Sequence, residues 1–140
     1  MTTPLDTKVS ELLEPIFATR DPQQRLTRLV ELAKARPLLA DHLKLDGHRV
    51  EGCQVRIWFV PEFREGRCWF QSDSDAITLK ALVGLLCEIY NGRTPADIAA
   101  HEPKFLEDLG VLRQLAESRR ATVLRVAQMI RDFAVAKAGA

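Results

Sequence analysis

Three cysteines, Cys53, Cys68 and Cys87, carry the most informative chemistry in this chain of 140 residues. A thiolate is a nucleophile and a metal ligand, whereas a thiol in apolar surroundings behaves as a small hydrophobic group. The odd count and the lack of a Cys-x-x-Cys pair argue against a disulfide framework and against a zinc ribbon. Each thiol is therefore considered as a single nucleophile or as part of the core.

Cys53 differs from the other two in its setting. It follows Gly52, where the chain enters its first clear strand. Glycine frees the backbone and removes bulk beside the thiol, and reactive residues concentrate in loops at the ends of elements. Cys87 lies in the most apolar segment and Cys68 lies in a strand, so both are expected to be structural. For Cys53, the spacing alone leaves a functional thiol and a buried structural thiol as open interpretations.

The histidines add little to this picture. His42, His48 and His101 show no helical or finger-like ligand spacing, so no metal site is predicted. His48 is a candidate base for Cys53, which would give a cysteine–histidine hydrolase. Five residues of extended chain span at most about 17 Å, so the two meet only if the chain folds back. The chain contains no glycine-rich phosphate loop.

Composition places the chain among ordinary globular proteins. Apolar residues make up 46% and charged residues 28%, which together with the length predicts a single domain over residues 1–140. A formal net charge of +1 argues against nucleic acid as the main partner. No basic start precedes an apolar stretch, and the longest apolar run, at residues 81–87, is too short to span a bilayer. We therefore expect a cytoplasmic protein with reduced cysteines and no membrane partner.

The first half of the chain predicts two helices and a hairpin. Apolar spacing indicates a helix over residues 7–17. Asp21-Pro22 has the residues of a helix start, and Arg36-Pro37 ends that second helix. Alternating aromatic and β-branched residues from Val55 to Val60 indicate a strand, and Pro61 suggests an edge strand or a bulge. If the chain turns at Glu65-Gly66, Cys68 lies on the returning strand opposite Phe63, not opposite Cys53.

The second half predicts helices. Residues 75–90 are apolar almost all round, as in a helix buried on most sides, and Ser72, Asp73, Ser74 and Asp75 supply capping groups before it. Asn91-Gly92 is expected to end this helix, and Thr94-Pro95 to begin a short one. A further short helix is expected to end at Gly110. A last long helix, capped by Ser118, runs to about residue 136. The predicted fold class is α+β, a small antiparallel β-sheet packed by several α-helices.

Several motifs, taken in order, resemble the SufE family of sulfur acceptors. The run from Val50 to Gln54 around Cys53, followed by Ile57-Trp58, is similar to the active-cysteine segment of that family. The resemblance extends from about residue 9 to residue 130 through the runs Asp73-Ser74-Asp75-Ala76, Tyr90-Asn91-Gly92-Arg93-Thr94-Pro95, Leu109-Gly110-Val111 and Ser118-Arg119. Three positions depart from the family pattern: Val55 replaces a serine, Ala81 replaces a glycine, and Arg120-Ala121-Thr122 follow where a glycine is usual.

The resemblance implies a mechanism and a set of partners. Cys53 would take sulfur, as a persulfide, from a SufS- or CsdA-like cysteine desulfurase that carries pyridoxal phosphate, and would stimulate that enzyme. The sulfur would pass to an iron–sulfur cluster scaffold, and the carrier itself would need no cofactor and no metal. The resemblance also implies that Arg119 lies near the cysteine. Gly52 would belong to its pocket, and Glu51 and Asp75 would help to dock the desulfurase. A sheltered persulfide further suggests a Cys53 that is partly buried in the free protein.

Two other classes of function remain open from the residues alone. One is a redox or hydrolytic enzyme that uses Cys53 with His48. The other is a non-catalytic helical binding module with Cys53 in its core. The sequence also leaves open whether the chain is a monomer or a homodimer, which desulfurase it serves, and whether a carrier without independent turnover should be classed as an enzyme.

Overall fold

A computed structural model describes residues 3–139 and arranges them as helices, a hairpin and further helices. Two helices precede the two strands, and four more helices follow. Their bounds are α1 Pro4–Phe17, α2 Pro22–Lys34, β1 Ile57–Arg64, β2 Arg67–Ser74, α3 Ile77–Tyr90, α4 Pro95–Ala99, α5 Phe105–Leu109 and α6 Glu117–Ala138. Short 3₁₀ segments lie at Asp41–Leu43, Asp46–His48 and Val111–Gln114. The α+β prediction is confirmed.

The two strands form an antiparallel hairpin with a tight turn. Glu65 and Gly66 both take positive φ, at 52° and 76°, as a two-residue hairpin turn requires. Phe63 lies opposite Cys68, as predicted. Pro61 lies opposite Phe70 in a sheet of two strands, where β1 is an edge strand and its missing N–H is tolerated.

Helix α3 is the centre of the hydrophobic core. Nine of its residues are buried, on nearly all sides of the helix. It packs against β2, α2 and α6, and the buried side chains of these elements form one continuous cluster. No helix within residues 3–139 is long and apolar enough to cross a membrane. These described residues share one core. That the whole of residues 1–140 forms a single domain stays a prediction.

Several predicted helix ends are confirmed. Asp21 accepts a hydrogen bond from the Gln23 amide at the start of α2. Thr94 does the same for the Asp97 amide at the start of α4. Gly110 ends α5 in the left-handed conformation. These ends are local, so the sequence alone contains what determines them.

Two predicted caps are wrong. Asp73 does not cap α3, because β2 continues to Ser74, and the first residue before α3, Ala76, has no side-chain cap. The Ser74 hydroxyl instead accepts from the Ala76 amide. Helix α6 begins at Glu117 without a side-chain cap, so Ser118 lies inside its first turn.

Asp73 is instead a buried anion at the end of the sheet. Its carboxylate accepts from the Ser74 amide at 2.8 Å and pairs with Lys80 at 3.6 Å and Lys44 at 3.5 Å. Burial alone raises the pKa of Asp73, but the Ser74 amide, Lys80, the Leu39 amide and Lys44 more than offset it, so the pKa lies below its usual value. The carboxylate therefore fastens the segment before the hairpin to the sheet and to α3.

We predict that Asp73→Asn destabilises the fold at neutral pH by about 1–3 kcal/mol, because two lysines lose a buried partner. A lowered pKa means that Asp73 stabilises the fold above the unfolded pKa of about 3.9 and loses this effect as the pH falls through the folded value. The difference between variant and parent should therefore shrink in acid. Urea unfolding at neutral pH and at about pH 3 measures it.

Asp75→Asn is the matched control, because Asp75 is half-exposed in its pair with Arg56. An exposed ion pair contributes little, so this variant should unfold close to the parent. Equal losses for the two variants would contradict the buried role of Asp73.

Candidate functional site

Cys53 lies in a loop that is closed at both ends by backbone hydrogen bonds. The Val50 amide donates to the Ile57 carbonyl at 2.9 Å, which joins the two ends of the loop at residues 51–56. Near its far end, the Arg56 carbonyl accepts from the Asp75 amide and from the Ser74 hydroxyl. The loop is therefore a short excursion whose ends are fixed to the hairpin.

The sulfur of Cys53 faces the first turns of α6. The side chain is half-buried and packs against the hydrophobic core beside Val55. Its Sγ lies 3.3 Å from Oγ1 of Thr122, which is buried. The Thr122 hydroxyl donates to the Ser118 carbonyl at 3.0 Å. Because that proton is used, the lone pairs of Oγ1 are left to accept from the Cys53 thiol.

Arg125 contacts the same loop one turn further along α6. Its Nη1 donates to the Glu51 carbonyl and lies 4.0 Å from Sγ of Cys53. Gly52 lies between these two contacts with φ at +80°. A Cβ on Gly52 would come within 3.0 Å of Nη1 of Arg125. The positive φ at position 52 favours glycine, and a larger residue there would push the Arg125 guanidinium away from the turn.

The other two thiols are enclosed by the core. Cys68 is fully buried and Cys87 is 5% exposed. Burial raises the pKa of Cys68, and it raises that of Cys87 to about 11. The Cys87 thiol lies 3.5 Å from the Ser72 hydroxyl. All three cysteines are free thiols, and Cys53 is the most exposed of them.

The remaining residues suggested by the resemblance lie at different distances from the sulfur. Glu51 and Gly52 belong to the turn that carries Cys53. Asp75 pairs with Arg56 at 2.6 Å, at the far end of the loop. Arg119 donates to the Thr78 hydroxyl at 3.1 Å, so the guanidinium that approaches Cys53 belongs to Arg125.

Sequence reasoning missed Thr122 and Arg125. With Ser118 they follow an i, i+4, i+7 spacing, which places them on one face of a helix. That signal is present in the sequence. The sequence does not say that this face meets the loop at residues 51–56.

Within residues 3–139, the hydrogen-bond partners of the Cys53 sulfur do not include a histidine. Nδ1 of His48 lies 2.7 Å from the Leu43 carbonyl, and the contacts of Cys53 Sγ are with Glu51, Thr122 and Arg125. Among residues 3–139, no three His, Cys, Asp or Glu side chains are grouped to hold a metal ion. The geometry offers a single half-buried thiol between a hydroxyl and a guanidinium, which suits nucleophilic exchange at sulfur.

Comparison with known proteins points to one family. The model of the family described as "SufE: Fe-S metabolism associated domain" matches residues 10–134. The sulfur acceptor protein CsdE of Escherichia coli K12 is 31% identical over 116 residues, covering 81% of this chain and 79% of that protein. A SufE-like protein of Synechocystis is 28% identical over 132 residues, covering 94% of this chain and 83% of that one.

The fold also matches a solved structure. The solution structure of a hypothetical protein from Thermus thermophilus superposes with a TM-score of 0.75 and covers all of both chains. At 21% identity this likeness supports the fold alone.

We predict that a brief pulse of iodoacetamide at mildly alkaline pH modifies Cys53 at least about tenfold faster than Cys68 or Cys87, because buried thiols react only when the fold opens. Peptide mapping by mass spectrometry measures the three rates. In urea the three thiols should react alike. The half-burial of Cys53 predicts a native rate below its rate in urea. Equal native and unfolded rates for Cys53, or fast native labelling of Cys87, would contradict the described packing.

We predict that Gly52→Ala destabilises the protein by about 1–2 kcal/mol, because alanine is strained at this positive φ and displaces the Arg125 guanidinium. Urea unfolding measures the loss. Gly47→Ala is the matched control, since nothing lies within 4 Å of the added Cβ and its φ is not positive. A Gly52→Ala variant as stable as Gly47→Ala would contradict the described turn.

Proposed function

The chain belongs to the SufE family, and from that membership we propose that it is a sulfur acceptor for a cysteine desulfurase. In this proposal Cys53 takes one sulfane sulfur from the desulfurase and holds it as a persulfide. The relative from Escherichia coli is named a sulfur acceptor, which supports the assignment. The sulfur then passes towards iron–sulfur cluster assembly, in keeping with the description of the family.

The observation that carries the proposal is the contrast among the three thiols. Cys53 is half-buried on a loop, whereas Cys68 and Cys87 are enclosed by the core. A sulfur carrier needs one thiol that a partner can reach, and it gains from keeping its other thiols unreactive. Raised pKa values keep Cys68 and Cys87 protonated when the solution is neutral.

The transfer is a thiol–disulfide exchange with a persulfide as the electrophile. The Cys53 thiolate attacks the terminal sulfur of the desulfurase persulfide. A sulfur–sulfur bond forms on Cys53 while the sulfur–sulfur bond on the desulfurase breaks, and the desulfurase thiolate leaves with the electron pair. Atoms and electrons balance without an oxidant or a reductant. The step requires in-line access to Sγ, and it uses no metal and no cofactor on the acceptor.

A persulfide must be sheltered between partners and exposed to each partner in turn, because it is easily reduced or oxidised. A half-buried cysteine on a loop satisfies both needs. Cys53 packs against the hydrophobic core, which shields the sulfur from one side. The loop is fixed near its ends by hydrogen bonds and Cys53 lies between them, so a docking desulfurase can draw the sulfur outward while the ends stay in place.

The desulfurase, in this proposal, docks over the loop. Glu51 and Asp75 are exposed at either end of it and supply negative charge for that contact. The pyridoxal phosphate belongs to the desulfurase. The recipient is a scaffold for iron–sulfur clusters, and the exchange takes place in the cytoplasm.

The test is a mass spectrum after incubation with a candidate desulfurase and L-cysteine. Quenching by alkylation without reductant preserves the persulfide. We expect one added sulfur on the Cys53 peptide and none on the Cys68 and Cys87 peptides. Alanine production by the desulfurase should rise when the acceptor is present.

Cys53→Ser is the matched variant, because it exchanges one sulfur for oxygen on an accessible loop. It should bind the desulfurase but carry no sulfur and give no stimulation. An active desulfurase that binds the protein yet leaves Cys53 unmodified would sink the proposal. If Cys53→Ser still supports the function, a non-catalytic binding module becomes the better description.

A further inference from the structure

Two residues on one face of α6, Thr122 and Arg125, approach the sulfur of Cys53. Thr122 contacts the thiol through its hydroxyl oxygen at 3.3 Å, and Arg125 approaches it from the next turn at 4.0 Å. The two contacts differ in kind. A hydroxyl whose proton is held by the Ser118 carbonyl accepts from a neutral thiol, whereas a guanidinium only donates and attracts negative charge.

Within residues 3–139, Arg125 forms no ion pair with a carboxylate. Among residues 3–139, the ion pairs that the structure contains involve other basic residues, and the hydrogen bond of Arg125 Nη1 goes to a backbone carbonyl, that of Glu51. The Arg125 side chain is also exposed. Its guanidinium can therefore shift from the Glu51 carbonyl oxygen to the Cys53 sulfur, two atoms that lie 3.8 Å apart. Its positive charge is therefore available to an anion that forms on Cys53.

We propose that Arg125 is a positioning residue of the sulfur site. It fastens the turn at Gly52 through the Glu51 carbonyl, and its guanidinium balances the negative charge of the terminal sulfur when Cys53 carries a persulfide. This inference rests on the proposed sulfur-acceptor function. It goes beyond that function by naming the group that retains the sulfur once it has arrived.

The chemistry of the persulfide explains why a cation is needed there. A persulfide is more acidic than the thiol from which it forms, so it is an anion under conditions where the thiol is neutral. The added sulfur lies about 2.05 Å beyond Sγ, which brings the charge within reach of a guanidinium now 4.0 Å from Sγ. A charge-assisted hydrogen bond from nitrogen to this sulfur stabilises the loaded state. The Thr122 hydroxyl can donate to this sulfur only if it breaks its hydrogen bond to the Ser118 carbonyl.

The test is an exchange equilibrium that needs no desulfurase. Glutathione persulfide and glutathione, at a fixed ratio, exchange sulfur with Cys53: the loaded cysteine and a glutathione thiol give a free cysteine and glutathione persulfide. The intact mass of the protein gives the loaded fraction. Arg125→Met should lower the ratio of loaded to free Cys53 by roughly three- to tenfold, because a charge-assisted contact is lost.

Two further variants separate charge from shape. Arg125→Lys keeps the positive charge, so its ratio of loaded to free Cys53 should lie close to that of the parent. Arg131→Met removes an exposed arginine elsewhere on α6 and should leave the ratio at the parent value. Raising the salt concentration should bring the ratios of loaded to free Cys53 in the parent and in Arg125→Met closer together, because salt screens an exposed charge. A merely structural arginine would show no salt effect on this ratio.

The fastening role has its own readout. Cleavage after Glu51 by a glutamate-specific protease should accelerate in Arg125→Met and not in Arg131→Met, because the turn opens more often. Equal loaded fractions for Arg125→Met and the parent would overturn the charge role, and equal cleavage rates would overturn the fastening role. Since the persulfide is loaded chemically, these outcomes are distinct from a failure of transfer by a desulfurase.

Discussion

Helix α3 is apolar around almost its whole circumference, so it must be covered on every side before the chain can fold. The hairpin covers one side, α2 a second and α6 a third. This requirement brings together two elements that are distant in sequence, the entry to β1 and the first turns of α6. The site lies where those two elements meet. Its geometry is thus a consequence of how the core is closed.

The loop of Cys53 gains its restraint from polar contacts at a few points. Its ends are joined by the hydrogen bond between the Val50 amide and the Ile57 carbonyl, and its first residue, Glu51, is tied to α6 through its carbonyl. Between these points Cys53 and Val55 are only partly buried against the core, and Gln54 is exposed. A segment with this pattern opens at low cost while the core stays closed. The proposed shelter of the sulfur and its proposed release to a partner are therefore compatible within one fold.

Much of the fold is determined locally and is legible in the sequence. The period of apolar residues identifies α1, α2 and α3, and the turn at Glu65-Gly66 fixes the register that sets Phe63 opposite Cys68. The predictions for Asp73 and Ser118 are wrong for a physical reason. A carboxylate or hydroxyl beside a helix start is equally suited to a cap and to a long-range contact. The choice for Asp73 is made by two lysines, Lys44 and Lys80, whose approach no local pattern can reveal.

The site divides along the same line. Glu51, Gly52 and Cys53 are adjacent in sequence, so their common turn is visible there. Thr122 and Arg125 come from about seventy positions away, as the separations of their contacts show. Their roles follow from whether each side chain accepts a hydrogen bond from the sulfur or donates one to it. In the proposed mechanism, Thr122 accepts from the Cys53 thiol and Arg125 donates to the persulfide anion, so the empty and the loaded carrier are held through different atoms. In that mechanism, loading shifts the main contact of the sulfur from a buried hydroxyl to an exposed guanidinium.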